Sequence, residues 1–136
     1  MALSNLPPIR MTDPAADDWT QGFWDAAANE ELVATKCSQC GTFRMPPGRF
    51  CRNCSSQEFT WESLPGTGTV FTSTVVRSDP SGPYAPAAID ADGAPGMRFI
   101  SAVVDCDVDQ VEPGMKVRVV FEKVNDKLTI PYWTPA

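Results

Sequence analysis

The feature that most constrains this chain is a set of four cysteines in two closely spaced pairs. Cys37 and Cys40 form the sequence CSQC, and after ten further residues Cys51 and Cys54 form CRNC. The two thiolates of each pair lie on one tight turn and can reach the same ion. Two such turns complete a tetrahedral site with zinc–sulfur bonds of about 2.3 Å. The spacing therefore predicts one zinc ion bound by all four cysteines.

Four cysteines can also form disulfide bonds or hold a rubredoxin-type iron, and both remain alternatives on the residues alone. The N-terminus lacks a basic start followed by an apolar stretch, and no apolar run reaches the roughly 18 residues of a membrane span. We therefore expect a soluble, cytoplasmic protein with reduced thiols and no membrane contact. Four thiolates leave zinc no open coordination position, so we expect a structural site rather than a hydrolytic one.

Composition narrows the classes of function. The 136 residues include 17 acidic and 11 basic side chains and no histidine, for a formal net charge of -6. Without an imidazole the chain supplies no Ser/His/Asp triad, no Cys/His dyad and no histidine-bound catalytic metal. A negative net charge also disfavours a dedicated nucleic-acid binder. Catalysis by this chain alone is therefore uncertain, and we expect none.

An amphipathic segment precedes the cysteines. Asp13, followed by proline, predicts the start of a helix, and Trp19, Phe23 and Ala27 recur at four-residue spacing. An internal glycine leaves open two short helices instead of one. The apolar face either packs on the rest of the chain or docks a partner. We predict a helical arm over residues 1–31, followed by a zinc ribbon.

After the ribbon, which we place at residues 32–60, the apolar pattern changes to a period of two. Strands are predicted at 67–77, 97–104, 116–122 and 127–133, with a shorter one at 87–90. Five short strands without a helical crossover predict a mainly β fold with a small closed barrel in residues 61–136. An OB-fold is the natural candidate, although the spacing also fits other small barrels.

Two features near the C-terminus concern the edges of that barrel. Pro131 and Pro135 predict an edge of the sheet or an exit from it, because proline donates no ladder hydrogen bond. Tyr132 and Trp133 either cap the barrel end or contribute to a partner interface.

The fifth cysteine stands apart from the other four. Cys106 lies in the sequence VVDCDVD, where carboxylates on both sides raise the pKa of a thiol. We therefore expect an inert thiol and not a nucleophile.

Several stretches of the chain together resemble a known family. FWDAAANEELVATKCSQCG, MPPGRFCRNC, FTWESLPGTGTVFTSTVV, VEPGMKVRVVFE and PYWTP follow one another over roughly residues 20–135. This order is similar to the zinc-ribbon/OB-fold acyl-CoA-associated proteins, which form domain-of-unknown-function family thirty-five. The resemblance implies an N-terminal helical arm, a rubredoxin-like zinc ribbon and a five-stranded OB-fold barrel.

The resemblance also implies a function. Members of the family assemble with thiolase-superfamily enzymes, including thiolase-like aldolases of steroid side-chain degradation, or with hotdog-fold enoyl-CoA hydratases. By resemblance this chain is a non-catalytic, acyl-CoA-handling accessory subunit in a hetero-oligomer with a thiolase or aldolase in lipid or steroid degradation. The alternative partner is an enoyl-CoA hydratase.

The ribbon is locally cationic, in contrast to the acidic chain. Between residues 32 and 57 there is no acidic side chain, and the basic ones are Lys36, Arg44, Arg49 and Arg52. Arginine forks suit the phosphates of coenzyme A, so these four residues are predicted to bind acyl-CoA. The alternative is that they balance the thiolate charge. Arg77 and Arg98 are further candidates for binding an anion.

A nucleic-acid-binding module is the remaining alternative, because OB-folds and zinc ribbons both serve that function. It requires exposed aromatic rings interleaved with basic residues on the barrel strands. Phe71, Phe99 and Phe121 are expected to point inward, and an acidic run at 105–112 lies on the same module. The sequence therefore favours acyl-CoA handling, with no nucleic-acid partner.

Overall fold

The structure is a computed structural model that describes residues 6–9 and 12–136. The described part contains a helix, α1 (Gln21–Ala28), and eight strands: β1 (Val33–Cys37), β2 (Phe43–Arg44), β3 (Phe59–Ser63), β4 (Thr67–Ser73), β5 (Ala85–Ala91), β6 (Phe99–Val103), β7 (Lys116–Asn125) and β8 (Leu128–Pro135). A short 3-10 turn, Val108–Gln110, lies between β6 and β7. No helix in the described ranges is long and apolar enough to cross a membrane.

The first three strands form the ribbon sheet in the order β2-β1-β3, with antiparallel pairing throughout. Thr35 in the middle of β1 faces Arg44 on one side and Trp61 on the other. Its hydroxyl donates to the Arg44 carbonyl, which fixes the short strand β2 against β1. The sheet carries Cys37 at the end of β1, so it positions the first of the four predicted metal ligands.

The other five strands form a closed barrel in the order β4-β5-β6-β8-β7, and β4 pairs with β7 to close it. All neighbours are antiparallel except β6 and β8, which run parallel where Val103 faces Trp133. Gly68 is required at the closure, because a Cβ atom there would lie 2.7 Å from the Asp90 carbonyl oxygen. The predicted mainly β fold with a five-stranded barrel is confirmed.

Helix α1 packs between the ribbon and the barrel. It buries Phe23 and Ala27, and the Phe23 ring lies 6.3 Å from the Phe99 ring of β6. Phe99 in turn contacts Trp133, the largest fully buried side chain of the barrel. The apolar face of the arm is therefore part of the common core. Of the two alternatives for that face, packing on the rest of the chain is the one observed.

The start of the helix was predicted wrongly. The Asp13 carboxylate accepts a hydrogen bond from the Ala15 N–H, and Ala15 has a φ of 50°, so the chain turns there without becoming helical. The helix begins eight residues later, after a turn in which the Asp17 carboxylate accepts from the N–H of Trp19 and of Thr20. Trp19 thus precedes the helix.

The prediction for β4 was wrong about the residue at which the strand ends and about the direction of one side chain. The strand ends at Ser73 rather than at residue 77, and beyond it Val76 makes an isolated bridge to Tyr84. Val70 is the residue of β4 that points inward, so its neighbour Phe71 lies on the outer face, 50% exposed. The register between β4 and β5 shifts between Val70 and Thr72, and Phe71 lies at this irregularity. Of the three phenylalanines expected to point inward, Phe71 therefore does not.

The C-terminal aromatic residues pack inside the protein. Trp133 is 1% exposed in the main core, and Tyr132 is buried on the opposite side of β8. Pro135 is the last residue of β8, as expected for an exit from the sheet. Pro131 pairs with Phe121 of β7 and precedes the point at which β8 pairs with β6 in the described ladder, so it lies at a local edge of the sheet, as predicted. The ladder with β6 is formed two residues later, at Trp133.

Candidate functional site

The four cysteines lie on two turns with the same backbone pattern. The Cys37 carbonyl accepts from the Gly41 N–H and the Cys51 carbonyl from the Ser55 N–H, at 2.9 Å in both turns. Gly41 and Ser55 both have positive φ, 77° and 67°. Each turn thus reverses tightly after its second cysteine and directs both thiols to the same side. The glycine was visible in the sequence, but the left-handed serine was not.

The sulfur atoms converge as the spacing predicts. Cys37 Sγ lies 3.6 Å from Cys54 Sγ and Cys40 Sγ lies 3.6 Å from Cys51 Sγ, so each contact joins one turn to the other. All four sulfurs lie within 4.8 Å of one another, and all are free thiols. A tetrahedron with zinc–sulfur bonds of about 2.3 Å has edges of about 3.8 Å. The donor set and its size therefore fit a tetrahedral metal ion.

Hydrogen bonds and burial shift the pKa values of Cys40, Cys51 and Cys54 in different directions. Hydrogen bonds, the largest with the Asn53 side chain and the next with Thr42, together lower the pKa of Cys40 from 9.0 to about 5. Backbone hydrogen bonds from Cys54 and Asn53 lower the pKa of Cys51. A backbone hydrogen bond at Ser56 acts in the same direction on Cys54, but desolvation and the adjacent thiols outweigh it and raise that pKa to about 12. Crowded thiolates repel one another, and a divalent cation allows all four to ionise together.

Two of the predicted acyl-CoA-binding residues are exposed on the ribbon. The Arg49 guanidinium lies 5.1 Å from the centroid of the Trp19 ring, so it also ties the ribbon to the N-terminal arm. Arg52 Nη2 donates to the Gly96 carbonyl oxygen at 2.7 Å and ties the ribbon to the barrel. Both remain open to solvent. Their charges are thus accessible to an anion, but each residue also has a structural contact.

The other two basic residues of the ribbon are less accessible. Lys36 is half-buried, with Nζ 5.5 Å from the centroid of the Phe43 ring. Arg44 is 6% exposed, and its guanidinium lies 5.3 Å from the centroid of the Phe59 ring. A phosphate on the surface cannot reach a charge buried to this extent without a rearrangement. Arg44 is therefore a buried residue, whereas the sequence predicted that it binds acyl-CoA together with the other basic residues of the ribbon.

Arg77 and Arg98 both face carboxylates. Arg77 forms an ion pair with Asp109, and Arg98 Nε lies 3.0 Å from Asp90 Oδ1. The Arg98 guanidinium also stacks on Phe71, 3.6 Å from the ring centroid. These carboxylates neutralise much of the positive charge, so neither arginine is a strong site for an external anion.

The lone thiol Cys106 is half-buried beside the barrel core. Burial raises the pKa of Cys106, and the adjacent carboxylates of Asp107 and Asp105 raise it further. The thiol therefore stays protonated near neutral pH, as the sequence predicted.

Sequence comparison assigns the two parts of the chain to two related family models. Residues 24–60 match the model described as the ChsH2 rubredoxin-like zinc ribbon domain, and residues 61–122 match the ChsH2 C-terminal OB-fold domain. A DUF35 domain-containing scaffold protein of Methanocaldococcus jannaschii is 33% identical over 101 residues, which cover 70% of each chain. The chain belongs to the DUF35 family.

Two further proteins are similar to this DUF35 chain. The solved structure of an Ltp2-ChsH2(DUF35) aldolase contains a chain that superposes with a TM-score of 0.79 at 28% identity, over 90% of this chain and 98% of that one. A Thermomonospora curvata protein named "Probable enoyl-CoA hydratase alpha subunit" is 33% identical over 84% of this chain. The DUF35 chain spans 37% of that relative's length.

The DUF35 chain also has an apolar surface that the sequence analysis did not single out. Ile100 on the outer face of β6 is 82% exposed. Cavities of about 280 and 330 Å³ lie beside it, and both are lined by Phe23, Phe99 and Ile100. We call this region the β6 surface. The period of two in MRFISAVV could have revealed this surface. It directs Phe99 inward and its neighbour Ile100 to the outer face of the strand.

Proposed function

We propose that this chain is a non-catalytic accessory subunit that assembles with a thiolase-superfamily enzyme, a thiolase or thiolase-like aldolase, and supports its action on acyl-CoA in lipid or steroid degradation. The observation that carries the proposal is the similarity to the DUF35 chain of the Ltp2-ChsH2 aldolase, which this chain matches over nearly its whole length. That structure is described as an Ltp2-ChsH2(DUF35) aldolase, and its chain superposes on 90% of this one.

A non-catalytic role agrees with the side chains. The chain has no histidine, so it cannot supply the imidazole that activates a thiolase nucleophile. Cys106 has a raised pKa, and the other four cysteines form the metal cluster. In this proposal the metal is zinc and serves to fold the ribbon, because four thiolates leave it no open position for substrate.

The β6 surface supports assembly with a partner. A side chain as large as isoleucine that is 82% exposed, with apolar cavities beside it, is typical of the central part of a protein interface. Arg98 and Phe71 lie at its border and add two residue types that are enriched at interfaces. We propose that the thiolase-superfamily partner covers this surface.

The exposed basic residues of the ribbon support contact with acyl-CoA. Four thiolates, one zinc dication and the four basic side chains of residues 32–57 carry +2 together on a chain of net charge -6. We propose that Arg49 and Arg52, together with the half-buried Lys36, attract the phosphates of coenzyme A towards the partner's active site. The chain is expected to have no role in binding nucleic acid.

The proposal is tested by purifying the chain from its native cells at low salt and identifying any stoichiometric partner. We expect a thiolase-superfamily enzyme, and we expect Ile100→Asp to abolish its retention while the variant still folds. Gln110→Asp is the matched control: it adds the same charge at an exposed position of the 3-10 turn, beyond the other end of β6. A monomeric chain without a partner, or turnover of acyl-CoA by the chain alone, would refute the proposal.

A hotdog-fold enoyl-CoA hydratase is the second candidate partner. The Thermomonospora curvata relative with a hydratase name favours it. The same purification distinguishes the two candidates, because the partners belong to different folds and are identified by mass. Hydration of an enoyl-CoA by the recovered complex, without thiolysis or aldol cleavage, would decide for the hydratase.

A further inference from the structure

Arg44 lies on the same face of the ribbon sheet as the first metal ligand. Arg44 faces Thr35 in register, and Cys37 follows Thr35 by two residues on the same strand, so the three side chains share one face. On the other side of β1, Phe59 of β3 is the register partner of Cys37. The Arg44 guanidinium lies over the Phe59 ring. The guanidinium therefore extends along this face towards the end of β1 that carries Cys37.

A second contact joins Arg44 to the other cysteine turn. Arg44 Nη1 lies 3.5 Å from the Ser56 carbonyl oxygen, and the same oxygen accepts a hydrogen bond from the Cys51 N–H at 2.8 Å. Arg44 thus approaches the backbone that positions the second pair of ligands, while it shares a sheet face with Cys37 of the first pair.

The Arg44 charge is buried, and no ion pair between it and a carboxylate is found in the described part of the chain. The side chain is 6% exposed, and neither Nε nor Nη2 has a hydrogen-bond partner among the described residues. The ribbon contains no acidic residue between positions 32 and 57. A buried cation is costly unless a nearby negative charge compensates it. Four thiolates around one zinc dication carry a net charge of -2, which is such a charge.

We propose that Arg44 is the buried counter-charge of the metal centre: it does not bind the metal, but its positive charge stabilises the tetrathiolate and raises the affinity for zinc. This inference rests on the proposed zinc site. It also gives a physical reason for a buried arginine in a ribbon whose other arginines are exposed. Arg44 is a positioning and charge-balancing residue, and its effect reaches the metal through the electrostatic field and the Ser56 carbonyl.

The test measures metal affinity in the full chain, by titration with Co²⁺ and by competition of Zn²⁺ with a chelator. Arg44→Met keeps an unbranched apolar stem and removes the charge. We expect its affinity to fall by about tenfold or more, because a unit charge near the thiolates acts through a poorly screened interior. Arg44→Lys keeps the charge and should retain most of the affinity. Arg49→Met removes the same charge from an exposed site on the same ribbon and should change the affinity much less.

A second readout is the pH at which half of the metal is released. Loss of the counter-charge favours protonated thiols, so this pH should rise in Arg44→Met and stay near the wild-type value in Arg44→Lys. If Arg44→Met does not fold, Arg44→Gln is the second neutral variant. Equal affinities and release pH values for the wild type and the neutral variants would overturn the inference, as would equal losses in the neutral and Lys variants. A wild-type chain that binds no metal would instead refute the zinc site itself.

Discussion

The indole of Trp61 lies directly against Gly22, so that a Cβ atom at residue 22 would be 2.4 Å from Trp61 Cε2 and from Trp61 Nε1. Gly22 belongs to helix α1 and Trp61 to strand β3 of the ribbon sheet. This contact brings the N-terminal arm onto the ribbon. It also explains why glycine, a residue of low helix propensity, occupies the second position of this eight-residue helix.

Gly22→Ala should therefore destabilise the protein. At this position in the first helical turn, helix propensity gives a gain of at most about 1 kcal/mol, whereas the rigid indole would have to move and overpacking costs about 1–3 kcal/mol. We expect a lower midpoint in denaturant unfolding of the metal-loaded chain. Gly48→Ala is the matched control, because a Cβ atom there would meet nothing within 4 Å. If Gly22→Ala is more stable than the wild type, the indole is not packed as described.

Cys51→Ser should abolish tight zinc binding and unfold the ribbon. Three thiolates and a hydroxyl make a much weaker site, and metal binding supplies the folding energy of so small a module. Elemental analysis of the purified variant should find well under one zinc per chain, against one in the wild type. Cys106→Ser serves as the control, since Cys106 is not part of the cluster. Zinc loss in both variants to the same extent would contradict the four-cysteine assignment.

Cys106 should react slowly with iodoacetamide at pH 8 in the zinc-loaded protein. Burial is the main cause of its raised pKa, so little thiolate is present at that pH. In the unfolded chain the thiol has its ordinary pKa. The higher pKa in the folded state stabilises that state at pH values below the ordinary pKa. This stabilisation is lost as the pH rises through the folded pKa. Mass spectrometry gives the rate of alkylation at Cys106, with Cys106→Ser as the control. A rate equal to that of a free thiol would show an accessible, reactive cysteine.

The sequence predicted best those features that are encoded in local spacing. The two cysteine pairs predicted the cluster of sulfurs because a tetrahedral ion accepts few arrangements of four thiolates. Strands β7 and β8 were predicted close to their observed positions because both stretches show a clear period of two. In such cases a few neighbouring residues determine the geometry.

The features that the sequence did not predict depend on distant parts of the chain. Phe71 looked like a core residue, but the inward side of β4 is fixed by Val70 and by the close approach of Gly68 to β5. Arg44 looked like a surface cation, but β2 pairs with β1 and brings it against Phe59, fifteen residues later in the chain. Alternation along one strand does not tell which face is covered, because a neighbouring element decides it.

The role of the ribbon arginines in acyl-CoA handling can be tested at Arg49 more cleanly than at Arg52. The Arg52 side chain donates to Gly96 in the barrel, so its removal also breaks a link between ribbon and barrel. Arg49 stacks on Trp19, a contact worth about 0.5–1 kcal/mol at an exposed site, and its loss should leave the fold and the zinc content intact.

Arg49→Glu should therefore raise the KM of the partner enzyme for acyl-CoA. A charge-assisted contact with a phosphate is worth about 1.5–3 kcal/mol, so we expect a shift of roughly tenfold or more that shrinks at high salt. Arg49→Lys should keep most of the attraction, and Arg118→Glu, an equal charge reversal at an exposed position of β7, should leave the KM nearly unchanged. A KM that is the same for Arg49→Glu and the wild type at low salt would mean that the ribbon charge serves the thiolates alone. Recognition of coenzyme A would then belong to the partner, and this chain would act as a scaffold.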